Sequence, residues 1–73
     1  MEPILIGNPQ RLEYRFLFNA PYNEENTLSA LDFIEQWVNR HGWQVKKEKR
    51  REIPEHGYFE IRTKLCPLIT PIT

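Results

Sequence analysis

In residues 12–18 large side chains alternate with Glu13, Arg15 and Leu17, so that Leu12, Tyr14, Phe16 and Phe18 fall on one face of an extended chain. A period of two with this many aromatics predicts a core-facing strand. The period then changes. Leu28, Leu31, Ile34 and Val38, with Phe33, Trp37 and His41 beside them, recur at three- and four-residue steps, the spacing of an amphipathic helix. Asn26 or Thr27 is the expected N-cap, with Glu24 and Glu25 just upstream at the positive end of the helix dipole. Arg40, His41 and then Gly42 mark the stop, because glycine readily takes the left-handed conformation past a helix end.

Beyond Gly42, Trp43 and Val45 share a face before the chain becomes almost wholly charged as far as Arg51, which predicts a strand whose far half projects beyond the core. Ile53, Pro54, Glu55, His56 and Gly57 carry turn chemistry. A further strand follows over residues 58–65, with Phe59, Ile61 and Leu65 on one face and Tyr58, Glu60, Arg62 and Lys64 on the other. The pattern predicts an α+β fold: one amphipathic helix packed on a small three- or four-stranded sheet, in the order strand, helix, strand, strand, with extended termini. Phe16, Phe18, Leu31, Ile34, Trp37, Val38, Val45, Phe59 and Ile61 are its expected core. Ile4, Leu5 and Ile6 suit either a fourth, edge strand or pairing with a partner's sheet, while Pro67 and Pro71 favour an extended tail. Residues 1–10 and 66–73 are accordingly the segments expected to be loosely held.

A chain of 73 residues supports one core and one domain. Domains this small bury only about 60% of the surface of their unfolded chain and lean on disulfides, metals or partners. Cys66 is the sole cysteine, and with His41 and His56 it does not complete a four-ligand metal site, so neither metal nor cofactor is expected. No apolar run approaches the ~18 residues of a membrane span, and residues 1–9 lack the basic start and long apolar stretch of a signal peptide. A soluble, cytoplasmic protein is expected, of undetermined oligomeric state, with a partner as the remaining source of support.

Net charge is zero, yet residues 1–39 hold six acidic side chains against two basic ones, and residues 40–73 hold eight basic against four acidic. Charge segregation of this kind favours contact with an acidic partner, while overall neutrality argues against indiscriminate coating of nucleic acid. The densest basic stretch, Lys46, Lys47, Lys49, Arg50 and Arg51 around Glu48, together with Tyr58, Arg62 and Lys64 on the following strand, forms the candidate binding surface. It suits an acidic protein surface or, as an alternative, the phosphates of nucleic acid. A third explanation is a charged hairpin whose lysines only guard a sheet edge. Tyr58 and Phe59 after Gly57 faintly resemble the aromatic strand of RNA-recognition sheets, although a single helix does not fit that fold and Phe59 fits the core better. Trp37 and Trp43 suit core packing over partner anchoring.

Catalytic constellations are not in evidence. His41 lies at a helix end and His56 in a turn, without a serine, cysteine or carboxylate set around either. Glu24 and Glu25 read as capping charge, and Cys66 lacks a neighbouring base to activate it. Gly7, Gly42 and Gly57 stand alone, so no phosphate-cradling loop is formed. A non-enzymatic binding module is expected. In length, lone helix, charge segregation and lack of catalytic motifs, the chain resembles the small bacteriophage-encoded regulators that bind bacterial RNA polymerase and inhibit or redirect host transcription. The resemblance covers organisation and no residue motif. It implies docking on a larger host protein, the polymerase, with the strip from Lys46 to Arg51 close to nucleic acid.

Overall fold

The computed structural model describes residues 2–68. Its elements are β1 (Ile4–Asn8), β2 (Glu13–Phe18), α1 (Glu24–Arg40), β3 (Trp43–Ile53), a short 3-10 turn (Pro54–His56) and β4 (Tyr58–Pro67). The four strands form one sheet in the order β1-β2-β4-β3, every neighbouring pair antiparallel. The α+β architecture of one helix on a small sheet is as expected. The chain order is strand, strand, helix, strand, strand, because Ile4–Asn8 takes the edge-strand option and pairs with β2. Of the C-terminal segment expected to be loose, residues 66 and 67 belong to β4, Leu68 donates its N–H to the Gly42 carbonyl at 2.9 Å, and residues 69–73 lie outside the described residues.

Alternation on β2 and β4 builds the core. Phe16, Phe18, Phe59 and Ile61 are fully buried, joined by Tyr14, Ala30, Ile34, Val38 and Leu65. Phe18 stacks on Phe59 with ring centroids 5.3 Å apart. Leu12 does not belong to the strand. It takes φ 53°, turning the chain into β2, and its carbonyl accepts the Leu65 N–H at 2.8 Å.

The helix begins a turn earlier than Asn26 or Thr27. Asn23 is the cap, its side-chain oxygen accepting the Asn26 N–H at 2.8 Å, and Glu24 and Glu25 sit inside the first turn. The stripe facing the sheet is Thr27, Ala30, Ile34 and Val38, whereas Leu28 is 60% exposed. Two small side chains, Thr27 and Ala30, let the helix approach a sheet already filled by phenylalanines. Leu31 and Trp37 pack at the margin of the core, partly buried. Val45 is 39% exposed, because it lies on an edge strand, and falls outside the core. The helix closes as expected on His41, followed by Gly42 at φ 82°.

An aromatic group caps the end of the core nearest the helix C-terminus. Tyr14 meets Trp37 edge-on at 5.3 Å and Trp43 at 5.6 Å, and His41 stacks on Trp37 at 4.1 Å. The Nδ1 of His41 lies 2.7 Å from the Trp37 carbonyl. Both tryptophans thus shield the core. The Tyr14 ring also lies over Gly7 of β1, where a Cβ would fall 2.2 Å from the ring carbon Cε2. Glycine at that position is what allows β1 to dock.

Candidate functional site

Among the described residues, helix α1 covers one face of the sheet and nothing covers the other. In an antiparallel sheet, directly opposed residues share a face, so the registers sort the bare face into cross-strand rows. One row runs Ile4, Leu17, Glu60, Arg51 from β1 across β2 and β4 to β3; the next runs Ile6, Arg15, Arg62, Lys49; the third runs Asn8, Glu13, Lys64, Lys47. Ile53 opposite Tyr58 closes the end near the hairpin turn. The face therefore grades from uncharged at β1 to strongly basic at β3.

A single irregularity makes this face basic. Trp43 and Val45 point to the helix side, opposite Pro67 and Leu65. Strict alternation would carry Lys47, Lys49 and Arg51 to that same side. The register instead shifts between Val45 and Lys47, leaving Lys46 as the extra residue of a β-bulge. One inserted residue inverts every side chain that follows it. Beyond the bulge Lys47, Lys49 and Arg51 join the bare face, and Glu48, Arg50 and Glu52 turn towards the helix side.

Of the eight residues singled out in the sequence, six are brought together: Lys47, Lys49, Arg51, Tyr58, Arg62 and Lys64. Two are not. Arg50 lies on the reverse side, where its guanidinium binds Glu48 at 2.7 Å and borders a recess with Tyr22, Thr27 and Leu28. Lys46 sits in the bulge, exposed.

Sequence reasoning missed Arg15, and it placed Glu60 on this face without giving it a role. Glu60 is 2% exposed despite facing away from the helix. Arg15 covers it, with Nε at 2.7 Å and Nη2 at 2.6 Å from the same carboxylate oxygen, Oε2. Arg51 and Arg62 reach the carboxylate at 3.7 Å from either side. The only signal was an opposite pair of charges on two strands whose apolar residues pointed the other way, and it required knowing that β2 and β4 are neighbours.

Glu60 neutralises one cation of the three and holds the others splayed. Arg62 is left between Arg15 on β2 and Lys49 on β3, and Lys64 lies between Glu13 on β2 and Lys47 on β3. Like charges directly opposed across strands cost roughly 0.2–1 kcal/mol per pair. A recess of about 260 Å³ opens among Lys49, Arg51, Glu60 and Arg62, shallow enough to receive an anionic group from outside. The opposite flank carries Glu24, Glu25, Asp32 and Glu35 on exposed positions of α1. The charge segregation along the chain thus becomes a difference between two faces.

On the reverse side a groove of about 420 Å³ runs between α1 and β3, floored by Leu31, Ile34, Val38, Val45 and Leu68 and edged by Glu35 and Glu48. Among the described residues no group of three or more histidine, cysteine, aspartate or glutamate side chains is placed to hold a metal ion, and no helix is long and apolar enough to cross a membrane. His41 belongs to the aromatic cap, His56 to the exposed 3-10 turn, and Cys66 is a free, partly buried thiol. No protein-family model, curated protein or solved structure matches the chain.

Proposed function

We propose that the protein is a non-enzymatic regulator that docks the basic half of its bare sheet face onto an acidic surface of a larger protein. The observation that carries this reading is the set of opposed cations, Lys47 with Lys64 and Lys49 with Arg62, continued inward to Arg15. Lysines that merely guard an edge belong on the edge strand. Here Arg15, Arg62 and Lys64 lie on the two inner strands: Arg62 opposes Arg15 on one side and Lys49 on the other, and Lys64 opposes Lys47 with Glu13 on its other side, so the opposed cations carry a cost that Glu60 and Glu13 offset only in part. A binding role supplies the missing reason, since an acidic partner removes the repulsion on contact.

Glu60 supports docking on protein acids in preference to a phosphate backbone. It sets negative charge in the middle of the strip and holds Arg51 and Arg62 apart, a pattern suited to separate carboxylates. The organisation shared with phage-encoded transcription regulators makes bacterial RNA polymerase the partner of this class to test first, with action in the bacterial cytoplasm. The test is affinity capture from nuclease-treated bacterial lysate, with purified polymerase as a defined arm. The comparison chain carries serine in place of Lys47, Lys49, Arg51, Arg62 and Lys64. Retention of a discrete protein by the native chain alone is the expected result. Equal retention by both chains, or by neither, overturns the reading.

A second reading, nucleic-acid binding, is favoured by one observation. Tyr58 lies at the end of the same face, half-buried beside Ile53 and next in line to Arg51 and Glu60. Were the five cations to contact phosphates, oligonucleotide affinity would fall by a few hundred-fold between about 50 and 200 mM salt. Fluorescence anisotropy distinguishes that steep dependence from the absence of binding expected under the first reading.

A further inference from the structure

We propose that β1 is a self-association edge, pairing antiparallel with β1 of a second copy to join two four-stranded sheets into one. The proposal uses residues distinct from the basic strip and stands or falls separately from it. All five residues of β1 are exposed, with Ile4 at 51%, Leu5 at 40% and Ile6 at 45%. Among the described residues the strand pairs with β2 alone, and its outer edge presents a row of backbone donors and acceptors. Such an edge is ordinarily blunted by charge, by proline within the strand or by a cover. The sequence Ile-Leu-Ile-Gly-Asn has neither charge nor proline, and Ile4, Leu5 and Ile6 put exposed apolar side chains on both of its faces.

The fit is to a second copy because the edge complements itself. With a two-fold axis through Leu5, each Ile4 opposes the second copy's Ile6 and Leu5 meets Leu5. The same pairing sets each Pro3 against Gly7. Glu2 of each copy then lies alongside the second copy's turn at residues 8–11, which carries Arg11 and is held by its N–H bonding the Asn8 carbonyl at 3.1 Å. No like charges are brought together. Pairing through β3 would instead set Lys47, Lys49 and Arg51 against one another. The assembly therefore closes at two copies, an isologous contact with a charged strand at each outer limit. A five-residue strand offers less than the roughly 800 Å² per partner of a standard interface, so the expected dissociation constant is micromolar.

Sedimentation of the native chain from about 1 to 200 µM decides the matter. The expected result is a monomer–dimer equilibrium that Ile6→Lys or Ile4→Glu weakens by at least about tenfold, while Lys49→Ser leaves it unchanged. Circular dichroism of each variant checks that the fold is retained, as the exposure of these side chains predicts. Amide exchange supplies a second readout, in which the β1 amides gain protection as concentration rises. A native chain that stays monomeric over this range, or a dimer that survives both β1 substitutions, overturns the proposal. In either case the lysate capture result is unaffected.

Discussion

The two edges of this sheet solve the same problem in opposite ways. β3 is eleven residues long and carries seven charged side chains in succession from Lys46 to Glu52, while β1 has five residues and no charge. Both expose a row of backbone groups that a foreign strand could join. At β3 charge opposes it, whereas none of the five residues of β1 is charged. If cations were present only to keep the protein soluble, the short apolar edge would need them at least as much. They are gathered instead on β3 and on the inner strands facing it, which points to placement for contact.

Substitutions on β1 and on the inner strand β4 sharpen this contrast. The largest effect is expected at Gly7→Val. A side chain there must displace the Tyr14 ring from over β1 and disturb its contacts with Trp37 and Trp43, which costs about 2–3 kcal/mol in urea unfolding. Tryptophan fluorescence should shift with it. Glu60→Gln comes next, removing the anion shared by Arg15, Arg51 and Arg62. Loss of a buried ion-pair partner is severe, but Arg15 is 36% exposed and water recovers part of the loss, so about 1–2 kcal/mol is expected from the same measurement. Ile6→Lys, on a half-exposed edge position, should cost about 0.5–1 kcal/mol at concentrations too low for self-association. A larger loss would mean that β1 contributes to the monomer's own stability more than its exposure indicates.

Much of this architecture was legible before the structure, and the exceptions have physical causes. The aromatic alternation of Tyr14, Phe16 and Phe18 and that of Phe59 and Ile61 fixed the core faces of β2 and β4 directly, and with them the outward direction of Tyr58, Arg62 and Lys64. The helix cap was misplaced because Asn23 and Asn26 are equally good capping residues one turn apart. In the structure Asn23 holds the cap, and the added first turn places Thr27 one turn before the buried Ala30 and Ile34 on the face towards the sheet. On β3 periodicity could not assign faces at all. Residues 46–52 are charged on both sides, so the bulge after Val45 leaves no trace in the hydrophobic pattern, yet it decides that Lys47, Lys49 and Arg51 face outward and Arg50 does not. Arg15 joined the site only through the β2–β4 pairing, a contact between residues 45 positions apart.

The central claim is that opposed cations are kept on this face at the fold's expense, and Lys49→Glu tests it most directly. Lys49 opposes Arg62 and lies two residues from both Lys47 and Arg51, so reversing its charge turns three repulsions into attractions against one new repulsion, from the Glu60 carboxylate in the same recess. The measurement is the urea unfolding midpoint of this variant beside that of the native chain at low salt. The account predicts a gain of about 0.5 kcal/mol that shrinks as salt is added. An unchanged or lowered midpoint would contradict it, because Lys49 would then cost the sheet nothing and the basic strip would need no partner to explain it.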